Sequence, residues 1–448
     1  MGVYVTTQLA SQFCTNVFSM FVLCHTAHIS QWDRESAIVT KLILYNSNSS
    51  LAKFFSQLMH TLPELRGIDT TVIHPTGDKA ACARERLGLG LDIPMFKTSV
   101  PTEGGSQSLM IIFAKPSAHP SLPACHVTCA CPAYDVFGDW LVFFKDSWHI
   151  ATDDITSEGK IYADLNMNGV SFVLMCLTSG DVECRDEQKT QTQQCSWSPW
   201  ACQKKLHILP HSHYQLILDI MGIISLMEFS SSKELVQAIH DALLGYKRCL
   251  LLGIHRDVSP GNIIIFNAHG YLIDWDLAKL IRLPYPRHAT CTGTWQFMST
   301  HLMEDVGVHH IFLDDLESSF WMLLWTALLM FSQSKLDTKS LVSFIKRTFK
   351  SSPGGEEKCS VLMSQTKLTP NLFLDCSALY LLVKELADLF KGIYYMPSPD
   401  ELAVYKALKS KFQNSPDLPR ILQVNNVHLQ VESLERLKNH KYVISCFS

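Results

Sequence analysis

The chain has 448 residues, more than a single hydrophobic core usually serves, so we expect two lobes or domains. Its 38 Lys and Arg residues are nearly balanced by 42 Asp and Glu residues, and the net charge of -4 disfavours a nucleic-acid partner. The 15 cysteines are spread through apolar segments of a long chain, which is typical of reduced cysteines in a cytoplasmic or nuclear protein.

The first hundred residues mix short apolar runs with turn-forming stretches such as "YNSNSS", a pattern that predicts an α+β region. The apolar run "VFSMFVLC" has no basic region before it and no cleavage pattern after it, so we do not expect a signal peptide. The other apolar run, "FWMLLWTALLMF", has about twelve residues, short of the roughly 17 to 25 that span a bilayer. It predicts a buried core helix, and we expect no membrane partner.

Between residues 105 and 218 the sequence is strand-like but irregular. Its polar stretch "DEQKTQTQQCSWSPW" predicts an inserted loop, because nothing in it repeats at helical or strand period. The cluster "CHVTCAC", with Cys125, Cys129 and Cys131, lacks the paired spacing of a zinc site. It favours loop cysteines over a metal site.

The sequence changes character at "SSKELVQAIHDALLGYKR", where Ser231 and Glu234 form a capping-box pattern ahead of a helical apolar stripe. This predicted helix leads directly into "GIHRDVSPGNIIIF" and "GYLIDWDLAK". Farther along, "LYLLVKELADLF" and "PDELAVYKALKSKF" predict two more helices. A β-rich half is therefore followed by a helical half.

The stretch "HRDVSPGN" presents Asp257 and Asn262 on one loop, because Pro260 and Gly261 prevent a regular element from continuing through it. "IIIF" and "YLID" predict a hairpin that turns at "NAHG" and returns Asp274 to the neighbourhood of Asn262. Two oxygen ligands at adjacent strand ends suit Mg²⁺. The carboxylate of Asp257 then remains to accept a proton.

These motifs resemble the catalytic loop and the metal-binding motif of protein kinases. "TGTWQFMS" resembles the end of a kinase activation segment, and "DDLESSFWMLLW" resembles the helix whose first-turn aspartate, Asp315, holds the catalytic loop. Together with "WDRESA" and "RGIDTT" near the amino terminus, these motifs are most similar to those of the fungal-type protein kinase family. The resemblance covers most of the chain.

The resemblance implies an α+β, bilobal protein kinase-like fold. We expect a β-rich small lobe at residues 105–218, containing the inserted loop, and a mainly helical large lobe at residues 219–412. Residues 1–104 would be an amino-terminal α+β extension of the family, and residues 413–448 a carboxy-terminal tail.

The resemblance also implies phosphoryl transfer from ATP, with Mg²⁺, to serine or threonine hydroxyls of a protein substrate. Lys145 in "WLVFFKDSWH", at the end of an apolar strand, and Glu158 in "TSEGKIYADL" would position the nucleotide. The stretch "YQLILDIMG", with Asp219 and Met221, would be the hinge that binds adenine. Asn262 and Asp274 would bind both the nucleotide and the metal.

In this interpretation Asp257 is the catalytic base, and Ser259 stands in the catalytic loop where most protein kinases carry a lysine. The remaining family positions are structural or regulatory: His255, Arg256, Thr294 and Asp315. Arg256 would pair with a phosphorylated activation segment, for which Thr290 or Thr292 is the candidate. The other histidines, including His309 and His310, are expected to be ordinary polar residues.

Some features depart from the kinase pattern. No Gly-x-Gly-x-x-Gly precedes Lys145, and Asp276 replaces the usual glycine after Trp275, which should restrict backbone flipping. No glutamate follows "FMS" at the usual place, so the ion pair that stabilises the large lobe is expected to be absent.

Two alternatives stay open. "SPGN" and "IDWD" also resemble the aminoglycoside and choline kinase group, so a small-molecule phosphotransferase is one of them. The absent glycine-rich lid allows the other, a pseudokinase binding module. Retention of Asp257, Asn262, Asp274 and Lys145 favours an active enzyme.

Overall fold

The structure is a computed structural model of the whole chain. It describes residues 2–102, 108–115, 129–152, 155–182, 188–202, 208–220, 224–249, 253–280, 293–305, 307–330, 338–350, 355–373 and 376–448. The chain forms two compact units. The first unit comprises Met1–Ala163 with Leu174–Met221, and the second comprises Asp164–Val173 with Gly222–Ser448.

The amino-terminal part of the first unit combines a small antiparallel sheet with helices. The sheet has the strand order β1 (Val17–Val22), β2 (Ala27–Trp32) and β3 (Ala37–Val39). The helices are α1 (Gly2–Ser11), α2 (Ser50–His60) and α3 (Gly77–Leu87). The predicted α+β character of this region is confirmed.

A six-stranded antiparallel sheet forms the core of the first unit, in the order β4-β5-β6-β7-β9-β8. Its strands are β4 (Met95–Pro101), β5 (Ser108–Ala114), β6 (Cys129–Asp135), β7 (Trp140–Ile150), β8 (Cys176–Asp181) and β9 (His211–Leu218), and helix α4 (Glu158–Met167) follows β7. Apolar side chains from neighbouring strands, including Phe113, Val142 and Ile217, pack into one cluster. Strand β7 lies between two partners, and every residue of β9 is buried.

Strand β4 lies before residue 104, yet it pairs along its length with β5. The expected amino-terminal extension therefore contributes a strand to the same sheet as residues 108–218. The assignment of residues 1–104, 105–218, 219–412 and 413–448 as extension, lobes and tail stays a prediction.

The predicted inserted loop is held in place more firmly than its sequence suggests. The Asp33 carboxylate accepts the backbone N–H groups of Gln191 and Thr192, both at 2.8 Å, and the Thr192 hydroxyl at 2.8 Å. Thr190 and Thr192 are buried. Asp33 lies more than a hundred residues away from this loop in the sequence, so no local sequence pattern could reveal the contact.

The second unit is mainly helical. Its short strands are β10 (Ile224–Ser225), β11 (Gly253–Ile254), β12 (Ile263–Phe266), β13 (His269–Leu272) and β14 (Lys279–Leu280). Its helices are α5 (Ser232–Cys249), α6 (Thr300–Glu304), α7 (Phe312–Met330), α8 (Thr338–Lys350), α9 (Gly355–Ser364), α10 (Ser377–Tyr394), α11 (Pro399–Lys411), α12 (Leu418–Leu422), α13 (Asn426–Arg436) and α14 (Lys441–Cys446).

The four helices predicted from apolar periodicity are confirmed as α5, α7, α10 and α11. Helix α7 is a core helix, since the side chains of residues 320–324 are fully buried. Within the described residues, no helix combines the length and the apolar character that crossing a bilayer requires. The described cysteines form no disulfide, and Cys125 of the "CHVTCAC" cluster lies outside the described residues. The chain as described is an α+β protein.

Candidate active site

The loop between β11 and β12 carries Asp257 and Asn262, and the following hairpin sets the distance to Asp274. Strands β12 and β13 pair antiparallel and are joined by Asn267 and Ala268. Both linking residues have positive φ, at 49° and 62°, as a tight two-residue hairpin turn requires. The hairpin predicted from the sequence is confirmed, although its second strand begins at His269.

The carboxylate of Asp257 is held from two sides. Its Oδ1 accepts the Thr294 backbone N–H at 2.7 Å, and its Oδ2 accepts the Asn262 side-chain amide at 3.0 Å. Burial raises the pKa of the Asp257 carboxyl, the Thr294 hydrogen bonds oppose this shift, and the nearby charge of Asp274 adds to it. A carboxylate with a raised pKa is a better proton acceptor than an exposed one.

Asn262 and Asp274 are placed next to each other by the hairpin, because the Ile273 N–H donates to the Asn262 carbonyl at 2.9 Å. The Asn262 amide nitrogen points to Asp257, which leaves its side-chain oxygen for another partner. A carboxylate and an amide oxygen form the donor set that Mg²⁺ accepts. Among the described residues, no group of three or more His, Cys, Asp or Glu side chains could hold a metal ion.

Asp274 itself takes the left-handed conformation, with φ 65° and ψ 64°. Non-glycine residues rarely adopt this region, although Asp is among the more tolerant. Asp276, which replaces the usual glycine, lies in the short 3₁₀ helix Trp275–Leu277 and needs no positive φ. The unusual backbone conformation therefore falls on the candidate metal ligand and not on the substituted glycine position.

Asp315, at the start of α7, holds the loop that carries Asp257 through backbone N–H groups of that loop. Its carboxylate accepts the N–H of His255 at 3.0 Å and the N–H of Arg256 at 3.1 Å, and it also accepts the Tyr246 hydroxyl at 2.7 Å. The side chain is fully buried. Burial would raise the pKa of Asp315, but His310, whose Nε2 lies 2.9 Å from Oδ1, helps to bring it below the ordinary value.

His310 is thus a residue of the candidate site that sequence reasoning missed, and not the ordinary polar residue expected from the sequence. The only signal for it is its position five residues before the family aspartate. His255 is also buried, and its ring lies between the Ile273 carbonyl, 3.0 Å from Nε2, and the Trp275 ring. This arrangement places His255 in the packing of the loop, and its structural role stays a prediction.

Gly293 and Ser259 complete the surroundings of Asp257. Gly293 has φ +120°, and a Cβ there would lie 2.6 Å from the Arg256 carbonyl oxygen, so only glycine fits beside the loop. Ser259 is buried, and its carbonyl accepts the Asn262 N–H at 3.0 Å. Arg256 is buried with φ 74°. The candidates for its expected partner, Thr290 and Thr292, lie outside the described residues.

In the first unit, Lys145 and Glu158 form a buried ion pair. Lys145 Nζ lies 2.5 Å from Glu158 Oε2, and their side chains are 6% and 2% exposed. The expectation that Lys145 sits at a strand end is wrong: it lies in the middle of β7 and pairs with β6 on one side and β9 on the other. The sequence shows only an apolar run before the lysine, which hides the strand's continuation through polar residues.

Helix α4 can bring Glu158 to Lys145 because Gly159 lets it approach the sheet. A Cβ on Gly159 would lie 1.9 Å from the Ser179 hydroxyl, and the Gly159 N–H donates to the Tyr214 hydroxyl at 3.1 Å. Asp219, predicted for the hinge, is exposed just after β9, and its N–H donates to the Met175 carbonyl at 2.9 Å. Met221 lies outside the described residues.

The opposite face of β7 carries a polar cluster that the sequence reasoning did not identify. Asp146 Oδ1 lies 2.9 Å from His213 Nε2, and the His213 ring stacks on Trp148 at 5.0 Å. Arg34, from "WDRESA", lies over the Trp148 ring at 5.7 Å. Burial opposes the charge of Asp146, but His213 lowers its pKa below the ordinary value. This cluster holds β7 through the face opposite to Lys145.

A family model described as fungal protein kinase matches residues 3–327. The chain belongs to the fungal protein kinase family. Comparison with curated proteins gave no significant match.

Membership of the fungal protein kinase family confirms the resemblance seen in the sequence and supports phosphotransfer of the kinase type. The matched range contains both the Lys145–Glu158 pair and the loop with Asp257. It ends within α7, so helices α8 to α14 lie beyond the part that defines the family. In those helices the structure has to be interpreted from its own contacts.

Proposed function

We propose that the protein transfers the γ-phosphoryl group of ATP, with Mg²⁺, to serine or threonine hydroxyls of a protein substrate. The observation that carries the proposal is the carboxylate of Asp257, oriented by Thr294 and Asn262 next to Asp274. We further propose a bilobal kinase fold in which residues 105–218, mostly in the first unit, form the small lobe and residues 219–412, almost all in the second unit, form the large lobe.

The proposed chemistry assigns the proton transfer to Asp257. An attacking hydroxyl would give its proton to the Asp257 carboxylate while its oxygen bonds to the γ-phosphorus and the bond to the β-phosphate oxygen breaks. The hydrogen bonds from Thr294 and Asn262 fix the orientation of the carboxylate before substrate arrives. The raised pKa of Asp257 favours acceptance of this proton.

Nucleotide binding is proposed for the pair in the first unit. Counted from β5, strand β7 is the third strand of the sheet, which is where protein kinases carry the phosphate-binding lysine. The Glu158 carboxylate would restrict the Lys145 ammonium to one rotamer. Mg²⁺, when bound with the nucleotide, would neutralise phosphate charge, and the oxygen atoms of Asn262 and Asp274 would hold it.

The phosphate-covering loop is where this protein departs from most kinases. The connection between β5 and β6 spans residues 115–128, and its sequence contains no glycine. "TEGGSQ" lies between β4 and β5 and therefore does not replace it. We expect weaker backbone contact to the phosphates and a larger share of binding through Lys145.

The test is transfer of labelled γ-phosphate, with Mg²⁺, to the protein itself and to a generic basic protein. Wild type would be compared with Asp257→Asn, which keeps an oxygen for the Thr294 N–H, and with Asp305→Asn, an exposed control. Loss of the base should lower transfer by about 10² or more, whereas the control should match wild type.

Other outcomes separate the alternatives. Transfer to an aminoglycoside or to choline, without transfer to protein, would replace the proposal with a small-molecule phosphotransferase. Thermal stabilisation by Mg·ATP without any transfer would identify a nucleotide-binding scaffold. Absence of both transfer and nucleotide binding would identify a pseudokinase. Equal activity of wild type and Asp257→Asn would remove Asp257 from the mechanism.

A further inference from the structure

The segment that touches Asp257 is held by a lysine that lies outside the family match. This docking segment, residues 293–304, contains the 3₁₀ helix Trp295–Phe297 and helix α6. Lys358, on α9, is fully buried, and its Nζ donates to the Gln296 carbonyl at 2.9 Å and to the Met298 carbonyl at 2.5 Å. Both acceptors belong to the docking segment.

A buried acid holds the same segment through an N–H group. Glu317, on α7, accepts the Thr300 N–H at 2.8 Å through Oε1. Its other oxygen accepts the Tyr394 hydroxyl at 2.5 Å, and the Trp321 indole N–H donates to Oε1 at 2.8 Å. The Tyr394 hydroxyl also accepts the His301 N–H at 3.1 Å, so side chains from three helices bind the carbonyls and N–H groups of the segment.

The free-energy cost of burying Lys358 and Glu317 indicates that they do more than stabilise the fold. An ammonium group and a carboxylate without water are expensive to bury, and an apolar pair of similar volume is often at least as stable. Burial lowers the pKa of Lys358 to about 7, with Glu317 opposing the shift. What such groups can add is conformational specificity, because their hydrogen bonds are satisfied in one backbone arrangement only.

The anchored segment connects directly to the candidate base. Its Thr294 N–H donates to Asp257 Oδ1 at 2.7 Å, two residues before the first carbonyl that Lys358 binds. The sequence lacks the glutamate that would supply the usual large-lobe ion pair, so the segment needs another anchor. We propose that Lys358, with Glu317 and Tyr394, is the positioning device that keeps Thr294 on Asp257. The inference rests on the proposed function only where it concerns activity.

Hydrogen exchange tests the positioning role without any assay of catalysis. Lys358→Met keeps the length of the side chain but removes its donors, and Lys346→Met is the matched control at an exposed site on α8. We expect faster exchange of the Thr294 and Thr300 amides in Lys358→Met, by about tenfold or more, with α10 amides unchanged. The control should exchange like wild type.

A second experiment measures the phosphotransfer kinetics of the same variants. If a displaced docking segment misorients the base, kcat/KM for the protein acceptor should fall by about 10 to 10² while KM for ATP stays constant. Tyr394→Phe removes one hydroxyl, which donates to Glu317 and accepts the His301 N–H, and it covers the case in which Lys358→Met does not fold. It should give the same pattern with a smaller change.

The outcomes are distinguishable. Unchanged exchange at Thr294 and Thr300 in folded Lys358→Met or Tyr394→Phe would overturn the positioning role. Equal acceleration throughout the second unit would reduce Lys358 to a general stabilising residue and would also overturn it. If wild type transfers no phosphate, the proposed function fails, but the exchange result still decides this inference.

Discussion

Removing one member of the Lys145–Glu158 pair should destabilise the first unit strongly. The two side chains are 6% and 2% exposed, and the charged atoms are 2.5 Å apart. Lys145→Met would remove the cation that faces the Glu158 carboxylate, while the carboxylate stays in a site shielded from water. The single substitution should therefore lower the free energy of unfolding by more than the intact ion pair contributes to it.

The magnitude has two parts. At the 2.5 Å separation, two unit charges attract each other by about 7 kcal/mol at an effective dielectric constant of 20, and the desolvation of both groups offsets part of this attraction. Breaking a buried pair by removing one partner typically costs about 3–5 kcal/mol. We therefore expect Lys145→Met to lower the free energy of unfolding by about 3–5 kcal/mol. The double variant Lys145→Met with Glu158→Leu should recover most of this loss, because it leaves no buried charge.

Urea denaturation followed by tryptophan fluorescence would measure both variants, and a double-mutant cycle with Glu158→Leu alone would give the coupling. Phosphotransfer should be lost in every variant that lacks the lysine, including the stable double variant. A cost below about 1 kcal/mol for Lys145→Met would show a solvent-screened pair and would refute the buried geometry.

Three further predictions concern packing and charge. Gly159→Ala should destabilise by about 1–3 kcal/mol in urea titrations, since the added carbon would lie 1.9 Å from a serine hydroxyl, whereas Gly77→Ala, with nothing within 4 Å, should be nearly neutral. Asp315→Asn should cost about 2–4 kcal/mol in the same assay, because an amide cannot accept from all the donors that the carboxylate satisfies, and exposed Asp305→Asn should not. Burial lowers the pKa of Lys358 from 10.5 to about 7. Between these two pH values the unfolded chain binds more protons than the folded chain, so the free energy of unfolding should rise with pH in this range. Between pH 7 and 9 this rise, at most about 1.4 kcal/mol per pH unit, should disappear in Lys358→Met; an identical pH profile in the variant would contradict the shift.

The parts of the site that could be predicted from the sequence are those whose residues are close in the chain. Asp257, Asn262 and Asp274 are brought together by one hairpin, and hairpins have a clear local signal in strand-forming runs around a short turn. Lys145 and Glu158 are also near each other in sequence, so the resemblance to the family was enough to predict that they pair. The strand boundary of β7 could not be predicted, because its second half, "KDSWHI", is largely polar, and Asp146 and Trp148 in it belong to the cluster on the opposite face of the sheet.

The parts that could not be predicted depend on contacts between distant segments. Arg34 reaches Trp148, and Asp33 reaches Thr192, across more than a hundred residues of sequence. Lys358 binds carbonyl groups, which every residue carries, so no residue type in the docking segment marks it as a partner. Such contacts leave no periodicity, spacing or motif for sequence reasoning to detect.

Helix α7 shows why the loop and the docking segment should act as one structure. Successive acids of its "DDLE" turn point to different partners: Asp315 holds the catalytic loop, Asp314 accepts the Ser299 hydroxyl at 2.6 Å, and Glu317 holds the Thr300 N–H. Asp314 and Glu317 are three positions apart, lie on the same face of the helix and hold the same segment, whereas Asp315 projects in a different direction, so one turn serves two segments. The resemblance assigned a role only to Asp315, yet its neighbours hold the segment that contacts Asp257. A shift of this turn would therefore move the candidate base and its Thr294 partner together.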